Sequence, residues 1–330
     1  MEDESVDSPS TFYKYLTPKR KLNAENPFFW KTHRGGWTDV GRLINKHLHT
    51  PDGVLYLSAV EDQLWYRKSR KEGPLEEPWV GFMHQMPRQH LDFWDLDRIV
   101  KHDLWNESIK HCRGLWTLTD YQKSYLQHLN VPVPIAKVYY PIETPKRTFS
   151  YQKFIANPAR QVLCIGEFLR NFQFFYDLEA PGYRKVLLKY DNFDNDLKSQ
   201  MIKLTINGSV EVRPTVDVEA YDSLFEDNIV LLNLLDAGAV TTIIECIVRG
   251  TPVLVNRVGG VAEYLGDDYP FYADTLEEAN IKLQDTRLIF EAAKYLKEYN
   301  FKKKLTGSYF LSSLQNTAIY RMLPVPRGQC

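Results

Sequence analysis

The residues of this chain that could do chemistry concentrate in Leu231–Leu265, LLNLLDAGAVTTIIECIVRGTPVLVNRVGGVAEYL, where the carboxylate of Glu245 sits between Asp236 and a glycine pair, Gly259-Gly260. Glycines after a strand let the backbone approach a ligand closely, and the first N–H groups of a helix starting there have no intrahelical partners. The pair therefore predicts an anion site into which a phosphate fits, with a bare turn as the plain alternative. Val240, Ile243, Ile244, Ile247 and Val248 recur at helical spacing as one apolar stripe. That stripe places Glu245, with Thr242 and Arg249 near it, on the opposite side, away from the core. In that position Glu245 and Arg249 could also form a solvated i,i+4 pair.

The elements that must position these residues read as strand, helix, strand, helix. A buried apolar strand ends near Asp236, a Gly/Ala turn follows, and a helix runs to Gly250, which suits a left-handed C-terminal cap. Pro252–Asn256 is the next strand, begun by a proline where no ladder donor is lost. Gly259-Gly260 then opens the following helix.

Glu245-Cys-Ile-Val-Arg-Gly250-Thr-Pro-Val-Leu-Val, followed by Gly259-Gly260-Val-Ala-Glu263, resembles the donor-binding signature of GT-B glycosyltransferases, especially the large retaining group that includes glycogen and sucrose-phosphate synthases. The resemblance covers about residues 79–300 and is sharp from Asp236 to Leu265. It implies an α/β chain of GT-B architecture, two Rossmann-like domains facing across a cleft. It also implies that Glu245 holds the ribose hydroxyls of a sugar nucleotide, with Gly259 and Gly260 against the diphosphate and sugar. The family has a second acidic residue where this chain has Ala237, and Asp236, one residue earlier, is the candidate substitute.

Other candidates lie along the chain. Trp79–His84 reads as an apolar strand, and because ligands of open α/β sheets bind at the carboxyl ends of strands, His84 falls in the cleft. The family places a His near the donor sugar at about this point; a surface or capping role is the alternative. Gly35 and Gly36, between a strand at Phe28–Trp30 and a helix to about Leu48, match the family's first loop across from the donor, and a tight turn explains them equally well. Gln161–Gly166 is a strand entering a glycine turn. After this turn the family carries an Arg/Lys pair for the diphosphate. Arg170 and Lys189, the latter ending the strand Lys185–Lys189, are the cations available, although Arg170 also reads as a surface arginine. In the family the backbone near Val216, beyond an edge-like strand around Pro214, meets the base.

With 330 residues, 44% hydrophobic content and a formal net charge of -1, the chain is long enough for two globular domains and offers no electrostatic case for nucleic acid. Lys19-Arg20-Lys21 and Lys302-Lys303-Lys304 read as solvated local clusters. No apolar run approaches the roughly 20 residues that span a bilayer, and the acidic start MEDESVDSPS is unlike a signal peptide. A cytoplasmic protein is expected, with peripheral membrane contact left open. Cys112, Cys164, Cys246 and Cys330 show no metal-ligand spacing and are expected to be reduced and mostly buried. The expected organisation is a tail over 1–10, an acceptor domain over 11–145, a donor domain over 146–305, and a final helix and tail over 306–330 that crosses back to the first domain.

On this reading the chain is a hexosyl- or pentosyltransferase. It moves a sugar from a nucleotide diphosphate sugar to a hydroxyl of a carbohydrate or glycoconjugate acceptor, and the resemblance implies retention of anomeric configuration. No cofactor and no metal are expected, because side-chain cations and helix N–H groups stabilise the leaving diphosphate. A non-catalytic partner subunit is the rival from another class, made tenable by Ala237 and by Glu167 directly after Gly166, where a basic residue is common. A sugar-nucleotide epimerase or phosphorylase on the same two-domain cleft is the other.

Overall fold

The computed structural model describes residues 19–24, 37–87, 96–189 and 204–326. Gly35, Gly36, the expected strand at Phe28–Trp30 and Trp94 lie outside the described residues.

Among the described residues, ten strands form two parallel sheets. Leu22–Asn23 (β1), Val54–Leu57 (β2), Trp79–Phe82 (β3), Cys112–Thr117 (β4) and Ile135–Lys137 (β5) pair in sequential order. Gln161–Ile165 (β6), Arg184–Lys189 (β7), Val210–Pro214 (β8), Ile229–Leu232 (β9) and Val253–Val255 (β10) pair in the order β10-β9-β6-β7-β8. Parallel sheets are covered on both faces, so their inner strands are apolar throughout rather than alternating. Accordingly the inner strands β3 and β9 are buried at every residue; of the two edge strands of the second sheet, β10 is buried throughout, whereas β8, closed by Pro214, has no buried residue.

The order of the second sheet reverses between β6 and β9, and a crevice at the carboxyl ends of the strands is expected at such a switch point. The loops leaving β6 and β9 zip together beside it. Asn171 N–H donates to the Asn233 carbonyl at 2.8 Å and Leu235 N–H to the Leu169 carbonyl at 2.9 Å. The helix Thr241–Arg249 leads from β9 to β10 and ends on Gly250 at φ 72, a left-handed cap whose N–H and successor close onto Ile247 and Cys246 carbonyls.

Several local expectations shift. Before β4 the chain forms two separate helices, Leu96–Ile99 and Asp103–Ser108. The helix Asp120–His128 is capped by Thr119, whose hydroxyl accepts from Gln122 N–H. The last helical stretch breaks at Thr317 into Gly307–Asn316 and Ala318–Met322, and the Thr317 hydroxyl also accepts from the Trp116 indole of β4. Phe310 stacks on Phe82 of β3 at 6.0 Å, which brings this C-terminal stretch onto the first sheet. Lys21 is not solvated. It is buried beside β1 and donates to the carbonyls of Tyr320, Arg321 and Leu323, which closes the end of the final helix. Cys112, Cys164 and Cys246 are free and buried. Among the described residues, no helix is long and apolar enough to cross a membrane.

Candidate functional site

The candidate site is built where strand ends from both sheets meet. Met86 follows β3, Thr119–Tyr121 follow β4, Asp236–Gly238 follow β9, and Gly259–Glu263 follow β10. A Cβ at Gly238 would stand 2.6 Å from the Met86 methyl group, and one at Gly260 would stand 2.5 Å from the Thr119 methyl group. The Tyr121 hydroxyl donates to Asp236 at 3.1 Å. Carboxyl ends of the two sheets therefore face each other in contact. His84 after β3, Gly166 and Arg170 after β6, Lys189 ending β7, Val216 after β8, and Asp236, Gly259 and Gly260 all sit at that end of their strands, and Glu245 lies in the helix between β9 and β10.

Glu245 does not point away from the core. It is 3% exposed and Arg249 is 2% exposed, so the helix is buried on both sides. The solvated Glu245–Arg249 pair is replaced by a buried one from another helix. Arg249 bonds Asp222 at 2.6 Å, and Tyr221, its neighbour in the helix Val218–Leu224, donates its hydroxyl to Glu245 at 2.5 Å. Desolvation pushes the Glu245 carboxyl up to about 7 against the opposing pull of Arg249 and Tyr221. The apolar stripe is present as the spacing predicts, but the covering helix comes from residues more than twenty positions earlier, which periodicity cannot register.

The glycine pair also differs from expectation. Gly260 N–H donates to the Ala237 carbonyl at 2.8 Å, and Val261 N–H donates to the Val258 carbonyl at 3.1 Å. These two N–H groups therefore do not face outward as an anion site. Gly259, at φ +50, is required by the approach of its own chain: a Cβ would stand 2.2 Å from the Ala237 carbonyl oxygen and 2.8 Å from Asp236 Oδ1. Asp236 is buried and accepts from Ala237 N–H at 2.8 Å as well as from Tyr121.

Arg170 is 7% exposed and folds over the turn it follows, donating to the Phe168 carbonyl at 2.8 Å and the Ile165 carbonyl at 3.4 Å. It is a brace for the Gly166–Leu169 loop and not a surface arginine. Lys189 is half-buried at the end of β7, and Val216 packs against the core just before the Tyr221 helix. The fold thus brings Gly166 and Arg170 together, and Asp236 with Gly259, while Glu245 is held by Tyr221.

In the first half, His84 Nε2 lies 2.9 Å from the Ser58 carbonyl, which can only accept, so that nitrogen carries the proton and Nδ1 is the ring's acceptor. Trp37 meets the ring edge-on at 4.3 Å and donates its indole N–H to the same carbonyl. Burial holds the imidazole down to about 4, so it is neutral near pH 7. The loop carrying it is held by a buried carboxylate of the first half. Glu61, 1% exposed at the start of the helix Val60–Ser69, accepts from both His84 N–H and Gln85 N–H at 2.7 Å. Gln122 donates to the Gln85 carbonyl at 2.7 Å from the other side. Burial raises Glu61 to about 7. An acid placed immediately after an apolar strand, at the end where ligands bind, is the signal for Glu61; Tyr121, Tyr221 and Gln122 carry none.

No family model matches the sequence, and no curated protein matches it. Solved structures do. Anabaena Alr3699/HepE in complex with UDP and glucose aligns at TM-score 0.57 with 12% identity, covering 84% of this chain and 79% of that one. A point mutant of S. aureus TarM in complex with Fondaparinux, alpha-GlcNAc-glycerol and UDP aligns at 0.56 with 12% identity, over 81% of this chain and 55% of that one. The pneumococcal O-GlcNAc transferase GtfA in complex with UDP and GlcNAc aligns at 0.51 with 11% identity, over 80% and 56%. This chain thus matches little more than half the length of the last two. At such identities the likeness establishes the fold, which is that of the GT-B glycosyltransferases: α/β, with two parallel sheets of five strands.

Proposed function

We propose that this chain transfers a sugar from a nucleotide diphosphate sugar to an acceptor hydroxyl of a carbohydrate or glycoconjugate. The observation that carries the reading is the convergence of carboxyl ends from two parallel sheets beside the β6/β9 switch point. A nucleotide held at that crevice has Glu245 as the hydroxyl acceptor for its ribose, with Tyr221 keeping the carboxylate oriented. Val216, preceding the Tyr221 helix, is the backbone point offered to the base. Because Arg170 braces the Gly166 loop, Lys189 at the end of β7 is the cation proposed to meet the diphosphate directly.

HepE, TarM and GtfA are described with UDP, which makes a UDP-sugar the first donor to try. The reaction proposed is retaining and metal-independent. In place of a metal ion, a side-chain cation, Lys189, is proposed to stabilise the charge of the leaving diphosphate. His84, neutral with Nδ1 as an acceptor, is suited to bonding a sugar hydroxyl rather than to protonating a leaving group.

A panel of UDP-, GDP- and ADP-sugars tests the proposal by thermal shift and by release of nucleoside diphosphate. One donor should both stabilise the protein and turn over. Stabilisation without turnover on any acceptor would assign the chain to a non-catalytic partner role, and no stabilisation by any nucleotide would refute the donor site.

A further inference from the structure

The segment that follows β10, Gly259-Gly260 and the short helix Val261–Leu265, reaches across to the first half through Glu263. Its carboxylate accepts from Asp120 N–H and Tyr121 N–H, both at 2.7 Å, so it closes over the first turn of the nine-residue helix Asp120–His128 that begins in the other half. Helix N-termini favour negative charge, and a carboxylate bonded to two of their N–H groups is a strong, charge-assisted contact. Lys137, ending β5, lies 3.6 Å from the same carboxylate and also bonds Asp120. The next residue, Tyr264, is fully buried, donates its hydroxyl to the Leu118 carbonyl at 2.8 Å and accepts from Tyr140 N–H at 3.1 Å. Three residues before Glu263, Gly260 packs on the Thr119 side chain, and Tyr121 reaches back to Asp236.

Two loops of the second half are thus both anchored on one helix turn of the first. Asp236–Gly238 and Gly259–Glu263 are also tied to each other, through Gly260 N–H to the Ala237 carbonyl. We propose that Glu263 is a positioning residue: by docking on Asp120 and Tyr121 it holds both the β9 and the β10 loop against Met86 and Thr119, and so fixes them beside the crevice proposed for the donor. Only the catalytic consequence rests on the donor reading; the docking itself is independent of it. A carboxylate acting merely as a helix cap would order its own helix turn and nothing beyond, which separates the two roles.

Amide hydrogen exchange in the full chain tests this with Glu263→Ala, Glu263→Gln and Tyr121→Phe. Glu263→Ala should speed exchange at least about tenfold in segment 118–123 and likewise in segment 236–239, which contains no residue bonded to Glu263. Glu263→Gln, which keeps one acceptor oxygen, should fall between Ala and the native chain in both segments. Tyr121→Phe, which leaves the cap intact, should loosen 236–239 and 257–264 together. Acceleration confined to 118–123 would overturn the proposal, and if Glu263→Ala does not fold, the other two variants decide. A second arm uses UDP by calorimetry and UDP-glucose turnover: Glu263→Gln should lower kcat at least about fivefold while UDP affinity changes less than about twofold. Equal losses in both would overturn the positioning role. A native chain that binds no UDP would sink the donor reading and leave the exchange result to judge the docking.

Discussion

Replacing Glu245 with glutamine removes a buried charge and keeps the shape, and the structure sets the size of the effect. Burial raises the carboxyl from its ordinary 4.5 to about 7. Between those values the folded chain binds more protons at this site than the unfolded chain, so stability falls as pH rises through the window, and the full penalty is present above pH 7. At 1.36 kcal/mol per pH unit the penalty at pH 8 is about 3 kcal/mol, and at pH 5 less than about 1 kcal/mol. The amide of Glu245→Gln cannot ionise, and the Tyr221 hydroxyl still finds an acceptor oxygen. Urea unfolding should therefore show the variant gaining about 2 to 3 kcal/mol on the native chain between pH 5 and pH 8. The same change should weaken UDP binding, because a ribose hydroxyl loses a charged acceptor worth about 1.5 to 3 kcal/mol. Greater stability with poorer binding is the signature of a carboxylate kept for a ligand. A stability difference that does not vary with pH would refute the burial argument, and unchanged UDP affinity would refute the ribose role.

Other consequences can be checked on the same protein. His84→Ala should reduce sugar transfer while leaving UDP affinity nearly intact, since His84 belongs to the first half; an enzyme with normal turnover would remove His84 from the site. Gly260→Ala should destabilise by about 1 to 3 kcal/mol through overpacking on the Thr119 methyl group, 2.5 Å from the new Cβ. Thr119→Ser removes that methyl and keeps the hydroxyl cap, so the double variant should recover most of the loss in urea unfolding; independent, additive losses would contradict the contact.

Much of the second sheet is legible in the sequence because buried parallel strands read as unbroken apolar runs and their helices end on local signals. Val253–Val255, Gly250 as a left-handed cap and the edge character of the Pro214 strand all follow from neighbours in sequence. What fails is inference about which side of an element meets solvent when the cover comes from far away. Glu245 faces outward from its own stripe until Tyr221 and Asp222 cover it. Lys21 looks like part of a solvated basic cluster until the C-terminal helix brings its carbonyls. The glycine pair reads as making room for a phosphate, whereas Gly259 makes room for Ala237 and Gly260 for Thr119. Local pattern specifies that close approach occurs; it carries no record of what approaches.

The central claim is that a nucleotide diphosphate sits at the β6/β9 crevice with its ribose on Glu245. A crystal structure of the chain with UDP tests it most directly. The account predicts the ribose hydroxyls within hydrogen-bond reach of the Glu245 carboxylate, and the diphosphate beside the Gly166 loop and Lys189. UDP bound elsewhere, or bound with Glu245 still sealed beneath Tyr221 and out of reach of the ribose, would contradict it.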